Sequence, residues 1–307
     1  MVWNEVIQLS DKKINISLVG EIVIDTIIHK DLNIITNVIG GSPFNICKNL
    51  TKIGIANHFI GAVGNDENGK NVLKQIEALG IDATINVVEK ATSTVAVDQT
   101  ISSPLPVFNR AADSQIPLSQ DLIDNIANSK LLHFTYWPLS EEPSKSTIMA
   151  LLDKAHANDV LVGFDPNYHS YLDDDSENGL KTIKAIIDKV DIIKPSLDDS
   201  IRMFGEKEVE DYLKIYEDLG AKLIIMTLGK DGLVARYKGE TLRLPSLATK
   251  VIDSTGAGDA FWSGLYTGIL RAKSIKDSIN IGLMASAIKM KTIGAEFDVN
   301  EFREGLN

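Results

Sequence analysis

Short apolar runs and amphipathic stretches alternate along most of the chain. "INISLVG" at 14–20 has the length and β-branched content of a strand, and "SPFNICKNLTKIG" at 42–54 spaces its apolar residues as a helix does. "HFIGAVG" at 58–64 returns to the strand pattern, and "NGKNVLKQIEALG" at 68–80 to the helical one. The alternation resumes through "KLLHFTYW", "PSKSTIMALLDKAHAN", "VLVGFDPN", "LKTIKAIIDKV", "DIIKPS" and "KLIIMTLG". Strands separated by helices predict a parallel sheet covered on its faces by helices. The first helix is the best punctuated: Ser42 suits the N-cap, Pro43 the first helical position, and Gly54 the C-terminal stop.

Two regions break the alternation. Residues 83–114 hold β-rich "STVAVDQT" and "PLPVFNR" joined by a Ser-Ser-Pro turn with no helix between them, and "IHKDLNIITNVIGG" at 28–41 reads as a β segment able to pair with them. Together they predict a small antiparallel lid, contributed by about 21–40 and 83–114, on a single α/β domain spanning 1–307. Near the end, "GLVARYKGETLRLPS" reads as a hairpin turning at Lys238-Gly239, followed by two helices.

Composition narrows the partners. A formal charge of -11 with no basic block argues against nucleic acid and anionic membrane. One cysteine, Cys47, excludes an internal disulfide framework, and the five histidines have no zinc-ligand spacing. There is neither a signal-peptide pattern nor an apolar run of about 18 residues, so the expected location is the cytoplasm. Cys47 falls on the buried face of the first helix and His133 in an apolar strand, which reads both as core residues.

The chemistry concentrates in "DSTGAGDAFWSG" at 253–264. The backbone N–H groups of Gly256, Ala257 and Gly258 would open a helix, where they lack intrahelical partners and face the positive end of the helix dipole. Small residues there let a phosphate approach. Asp259, one residue on, is placed to take a proton from a hydroxyl while the amides stabilise a transferring phosphoryl group. The phosphate-binding G-x-x-x-x-G-K-[ST] and the dinucleotide G-x-G-x-x-G in a strand-to-helix setting are both absent.

With these residues in view, the chain resembles the ribokinase-like (PfkB) carbohydrate kinases along nearly its full length. "GGSPFN" at 40–45 and "DSTGAGDAF" at 253–261 carry the likeness, with "GAVGNDENG", "FDPN", "IIKPSLDD" and "TLGKDG" between them in family order. The resemblance implies a three-layer α/β sandwich with a mostly parallel sheet and a β lid. It also implies an ATP- and magnesium-dependent sugar kinase, with a homodimer formed through the lid. Asp259 would be the base and Gly256, Ala257 and Gly258 the anion hole. Asp25, Gly41, Asn45, Arg110 and Asn167 would meet the sugar, and Ser196, Thr227, Gly229, Gly232 and Asn280 the nucleotide. Asp199 would place magnesium through water, and the segment around Asp253, Thr255, Lys289 and Gly294 matches the family's potassium loop.

Two departures from the family pattern bear on these roles. Ser196 and Asp199 stand where an asparagine and a glutamate are usual, and they fit a helix cap as well as a magnesium site. His169 stands where acid-specific members carry an arginine, and Phe108 where they tend to carry a tyrosine. A neutral ketose, fructose first, is therefore the expected acceptor. The alternatives are 2-keto-3-deoxygluconate, then a nucleoside, then a sugar-binding regulator without transfer.

Overall fold

The computed structural model describes residues 2–28, 35–98, 107–172, 176–295 and 297–306. In chain order its strands are β1 (Ile14–Val19), β2 (Val23–Ile28), β3 (Ile35–Gly40), β4 (His58–Gly64), β5 (Asp82–Val88), β6 (Thr94–Asp98) and β7 (Val107–Asn109). They continue with β8 (Ser129–Thr135), β9 (Leu161–Asp165), β10 (Ile192–Ile193), β11 (Leu223–Thr227), β12 (Leu233–Tyr237) and β13 (Glu240–Leu244). The helices are α1 (Ser42–Ile53), α2 (Glu67–Ala78), α3 (Gln120–Ala127), α4 (Ser144–Ala157), α5 (Ser176–Lys184), α6 (Leu197–Phe204), α7 (Val209–Asp218), α8 (Ala257–Leu270), α9 (Ile275–Lys289) and α10 (Val299–Gly305).

Nine strands form one sheet in the order β13-β12-β11-β10-β9-β8-β1-β4-β5, parallel from β11 to β5 and antiparallel at the β12–β13 end. Successive residues of each strand point to opposite faces. Val19, Leu132, Phe134, Ile224 and Met226 accordingly bury against α3, α4, α6 and α7. Ile16, Leu18, Leu131, Leu223 and Ile225 bury against α1, α2, α8 and α9 on the other side. Two apolar cores on either side of one sheet make the expected three-layer sandwich. His133 and Cys47 belong to that packing: the His133 ring is fully buried with Nδ1 2.7 Å from the Tyr266 hydroxyl, and burial drops its pKa to about 3. The Cys47 thiol donates to Asn57 Oδ1 at 2.9 Å and is pushed up to about 12 by burial.

The second sheet, ordered β3-β2-β6-β7, is the lid. It is mixed and not wholly antiparallel, because β2 pairs in parallel with β6. The stretch 82–88, which falls within the predicted lid from 83 on, is instead the outer strand β5 of the large sheet, joined residue for residue to β4. The parts of the predicted lid at 29–34 and 99–106, with the Ser-Ser-Pro turn, lie outside the described residues. The β12–β13 hairpin turns at Lys238 and Gly239 as predicted, with φ of 49° and 75°, the left-handed pair that suits the twist of a two-residue turn. No helix among the described residues is long and apolar enough to cross a membrane.

The N-terminus of α1 departs from expectation. The N-cap is Gly41, at φ 106°, not Ser42. A Cβ on Gly41 would stand 2.3 Å from the Glu21 carbonyl oxygen, so only glycine fits. The Glu21 carboxylate performs the capping from 21 residues away, accepting from the Ser42 N–H at 3.0 Å. That arrangement leaves the Ser42 hydroxyl for another partner.

Candidate active site

The parallel strands end at one edge of the sheet, and the residues just past those ends converge: Glu21 after β1, Trp137 after β8, Asp165 and Asn167 at β9, Lys194 and Ser196 after β10, and Thr227 at β11. This is the edge where open α/β sheets bind ligands. The amino ends of α1 and α8 close the same space, a cavity of about 710 Å³ roofed by Val23, Asp25 and Val95 from the lid.

Asp259 lies in the first turn of α8 and is gripped from α1. The Ser42 hydroxyl donates to its Oδ1 at 2.6 Å, and Asn45 Nδ2 donates to its Oδ2 at 2.9 Å. A carboxylate offers about four acceptor positions, so two bonds orient it without exhausting it. Burial raises its pKa; the Ser42 and Asn45 hydrogen bonds and the Lys194 charge oppose that rise. The Asn45 Oδ1 is buried without a partner among the described residues.

The expected row of three donors is modified. The Ala257 N–H donates to the Ser254 carbonyl at 3.1 Å, so it is not aimed at a ligand. Ala260 makes the first intrahelical bond, to Gly256, at 2.9 Å. The amides of Gly258 and Asp259 precede it and belong to the unpartnered first turn. Gly256 supplies the left-handed φ of 75° that turns the chain into the helix.

Asp25 faces the cavity from β2, its pKa raised to about 6 by burial and held back by Lys48. Its seat depends on Gly40, where a Cβ would fall 2.1 Å from Asp25 Oδ2. Gly40 keeps ordinary strand backbone, so Gly40→Ala is expected to displace the Asp25 carboxylate without backbone strain. The KM for the acceptor sugar should rise by about tenfold to a hundredfold, with the melting temperature nearly unchanged. An unaltered KM in steady-state kinetics would remove Asp25 from sugar binding.

A buried ion pair forms part of the floor. Lys194 Nζ is 2.9 Å from Asp165 Oδ2, which also accepts from Trp262 Nε1 at 2.8 Å. A Cβ on Gly258 would lie 3.6 Å from the same ammonium, so its charge backs the amino end of α8. Asp199 lines the cavity while completing a capping box: Oδ2 accepts from the Ser196 N–H and hydroxyl at 2.9 and 2.6 Å, and Oδ1 from the Tyr168 N–H at 2.9 Å. The cap reading of Ser196 and Asp199 is thus realised, inside the cavity wall.

Other expected residues separate. Gly41, Asn45, Asn167, Thr227 and Gly229 line the cavity with Asp25 and Asp259. Gly232 does not; its left-handed φ of 87° and the 2.1 Å from its would-be Cβ to the Leu244 oxygen give it a hairpin-closing role. Asn280 lines a different cleft with Leu247 and Met284, behind α9. Arg110 is spent within the protein: Nε and Nη2 donate to Asp113 Oδ2 at 2.9 and 2.6 Å, Nη2 to the Trp137 carbonyl at 3.0 Å, and Nη1 to the Ser140 hydroxyl. It lines a neighbouring cavity, walled from the first by Phe108, which packs edge-on to Trp137 at 5.4 Å. A direct sugar contact from Arg110 is therefore not what its geometry provides.

Comparison with known proteins bears directly on this constellation. Residues 13–301 match the model of the pfkB family carbohydrate kinases. The chain belongs to the PfkB family. Among PfkB relatives, an ATP-dependent 6-phosphofructokinase of Thermoanaerobacterium thermosaccharolyticum is 43% identical over 303 residues, covering 97% of this chain and 94% of the relative. The fructokinase of Halothermothrix orenii has the same fold with a TM-score of 0.79 at 31% identity, covering 89% of this chain and 98% of that one. A fructokinase double mutant of Vibrio cholerae, solved with fructose, ADP and a potassium ion, superposes with a TM-score of 0.84 at 24% identity over 97% of this chain and all of that one. As a PfkB kinase, the protein is an ATP-dependent carbohydrate phosphotransferase.

Several site residues escape a reading of this PfkB sequence. Glu21 and Lys48 carry no motif of their own. Glu21 is buried, with its pKa raised to about 8 by burial, while accepting from Ser42 and, at 2.8 Å, from the Thr135 hydroxyl. Lys48, lowered to about 8 by burial, projects from α1 toward both Asp259 and Asp25 and donates to the Ile39 carbonyl at 2.9 Å. Asp165 and Lys194 lie within "FDPN" and "IIKPSLDD", and two opposite charges each closing an apolar strand were the available signal.

Proposed function

We propose that the protein transfers the γ-phosphoryl group of ATP to a hydroxyl of a fructose-type ketose, fructose 6-phosphate ahead of free fructose. The observation that carries the phosphotransfer is Asp259, oriented by Ser42 and Asn45 at the open end of α8 in a cavity shared with Asp25. The order of acceptors follows the near full-length likeness to a 6-phosphofructokinase. The internal engagement of Arg110 leaves no guanidinium fork there for a sugar carboxylate and equally none for a sugar phosphate, so it weighs against 2-keto-3-deoxygluconate but does not rank fructose 6-phosphate over fructose. His169 weighs the same way, because burial lowers its pKa, and its ring stacks on Tyr171 at 4.6 Å.

In this reading Asp25 and Asn45 hold the acceptor hydroxyls and Asp259 removes the proton from the attacking one. The Gly258 and Asp259 amides and the Lys194 charge meet the phosphoryl oxygens as negative charge builds on them. Thr227 and Gly229 form the nucleotide side of the cavity. Magnesium accompanying ATP would be held through Asp199 and Asp198, both of which line the cavity, and its chemistry is neutralisation of phosphate charge. The lid sheet, with Val38 and Val107 exposed on its two outer strands, is the surface through which a homodimer would form; light scattering on the purified protein tests it.

Turnover of ATP with magnesium, measured across fructose 6-phosphate, fructose, 2-keto-3-deoxygluconate, ribose and adenosine, tests the assignment. Phosphorylation of the two fructose acceptors is expected. Turnover confined to 2-keto-3-deoxygluconate or adenosine would replace the acceptor, and sugar binding without any turnover would make the protein a regulator.

The pH dependence has a defined sign. Below about 6, Asp25 gains a proton, so that one of its oxygens turns from acceptor to donor and its charge is lost; above about 8, Lys48 loses the charge that faces the two carboxylates. The profile of kcat/KM for the sugar is expected to be bell-shaped between limbs near those values, each approaching a tenfold fall per pH unit. A profile flat from pH 5 to 9 would exclude both groups.

A further inference from the structure

The loop to which the family resemblance assigns a potassium ion already contains a cation of the chain's own. Lys289 is fully buried at the end of α9, and its ammonium donates to the main-chain oxygen of Asp253 at 2.8 Å and to that of Thr292 at 3.5 Å. The Asp253 side chain ties the same loop, its Oδ1 accepting from the Thr255 N–H at 2.9 Å and its Oδ2 from the Gly294 N–H at 2.7 Å. Ile252 adds a bond from its N–H to the Met290 carbonyl at 2.8 Å.

Carbonyl oxygens gathered at a buried point are the surroundings in which a monovalent cation sheds its water. An alkylammonium has the same charge, a similar size, and three donors to offer those oxygens. A potassium ion coordinated by the Asp253 and Thr292 oxygens would have to share them with Lys289 Nζ, so these residues do not fit the ion. Burial lowers the pKa of Lys289 while the Asp253 and Asp259 carboxylates support its charge.

We propose that Lys289 is a built-in monovalent cation that fixes the loop 252–256, and with it the amino end of α8, making this kinase independent of potassium. The link to the site is short: the Asp253 carbonyl is held by Lys289, Thr255 is held by the Asp253 side chain, and Gly256 follows as the N-cap of the helix that bears Asp259. Lys289 acts as a positioning residue, without touching substrate.

This inference rests on the kinase reading, and its test has one arm that does not need turnover. Wild-type kcat measured in KCl, NaCl and choline chloride at equal ionic strength is expected to agree within about twofold. Lys289→Ala is expected to lose about tenfold or more in choline chloride and to recover severalfold with potassium or ammonium, which refill the vacated position. Thermal melting is the second arm: potassium should raise the midpoint of Lys289→Ala over sodium, as binding to the native state requires, and leave the wild type unmoved. If Lys289→Ala fails to fold, Lys289→Gln keeps a donor for Asp253 without the charge and is measured in the same way. Wild-type kcat rising about fivefold or more in potassium over sodium, a wild-type midpoint raised specifically by potassium, or a variant as active as wild type in choline would overturn the proposal. Absence of turnover on every sugar would count against the kinase reading alone, because the melting arm would still report on Lys289.

Discussion

Asp259→Asn is expected to lower kcat by about 10²–10⁴ while moving the KM for sugar and for ATP by no more than about threefold. Asparagine has the shape of aspartate and can keep the local network. The Ser42 hydroxyl can turn from donor to acceptor for the new amide, while Asn45 Nδ2 continues to donate to the remaining oxygen. What disappears is the capacity to take a proton. Stability separates this role from a structural one. A carboxyl whose pKa in the fold lies above its unfolded value is a net cost to the fold at pH above the folded pKa, and that cost fades as pH falls toward the unfolded value. Replacing it with a neutral amide therefore should not reduce the melting temperature at pH 7.5, and should raise it if the network is kept. A coupled ATP-turnover assay with calorimetry on the same preparation reads both quantities. Loss of kcat by less than about tenfold would mean that Asp259 is not the base.

The layers of this fold were legible because each strand-like run carries apolar residues on both faces, and each helix carries an apolar stripe. The lid was harder to bound. "DATINVV" at 82–88 alternates exposed and half-buried positions, as an edge strand does whether it closes a large sheet or opens a small one. Only its pairing with β4 decides between them. In the site, the glycine-aspartate motif located the amino end of α8, since its chemistry is local in sequence. The Ala257 amide came out differently because a local turn claims it for the Ser254 carbonyl, whereas Arg110 and Asn280 depend on tertiary placement, the guanidinium meeting Trp137 and the amide lining a separate cleft. Ser42 was assigned a cap it does not make because nothing near it in sequence reveals Glu21 as the capping group or Asp259 as its own acceptor, 217 residues distant. Lys289 shows the same limit: the resemblance places it in the potassium loop, and nothing near it in sequence reveals that its ammonium turns to the Asp253 carbonyl, 36 residues distant.

Lys194→Met should have the largest effect on stability. Lys194 is 4% exposed, and its ammonium pairs with Asp165 and lies 5.8 Å from the centre of the Trp262 ring, so its attraction is poorly screened. Methionine fills most of the volume but leaves Asp165 buried with the Trp262 N–H as its one remaining side-chain donor among the described residues. Removing one partner of a buried pair costs about 3–5 kcal/mol, which for a domain of this size is a fall in melting temperature on the order of 10 °C. The companion variant Asp165→Asn with Lys194→Met should recover most of that loss, because a neutral amide no longer needs the cation and still accepts from Trp262. Recovery of stability is not expected to restore activity. Lys194 also stands close to the amino end of α8, 3.6 Å from a would-be Cβ on Gly258, and opposes the raised pKa of both Asp259 and Asp199. The double variant should therefore melt near the wild type yet show kcat/KM for ATP reduced by about tenfold or more. If the single variant melts within a degree or two of wild type, the pair is not structural; if the double variant recovers activity along with stability, Lys194 serves the fold and not the phosphate.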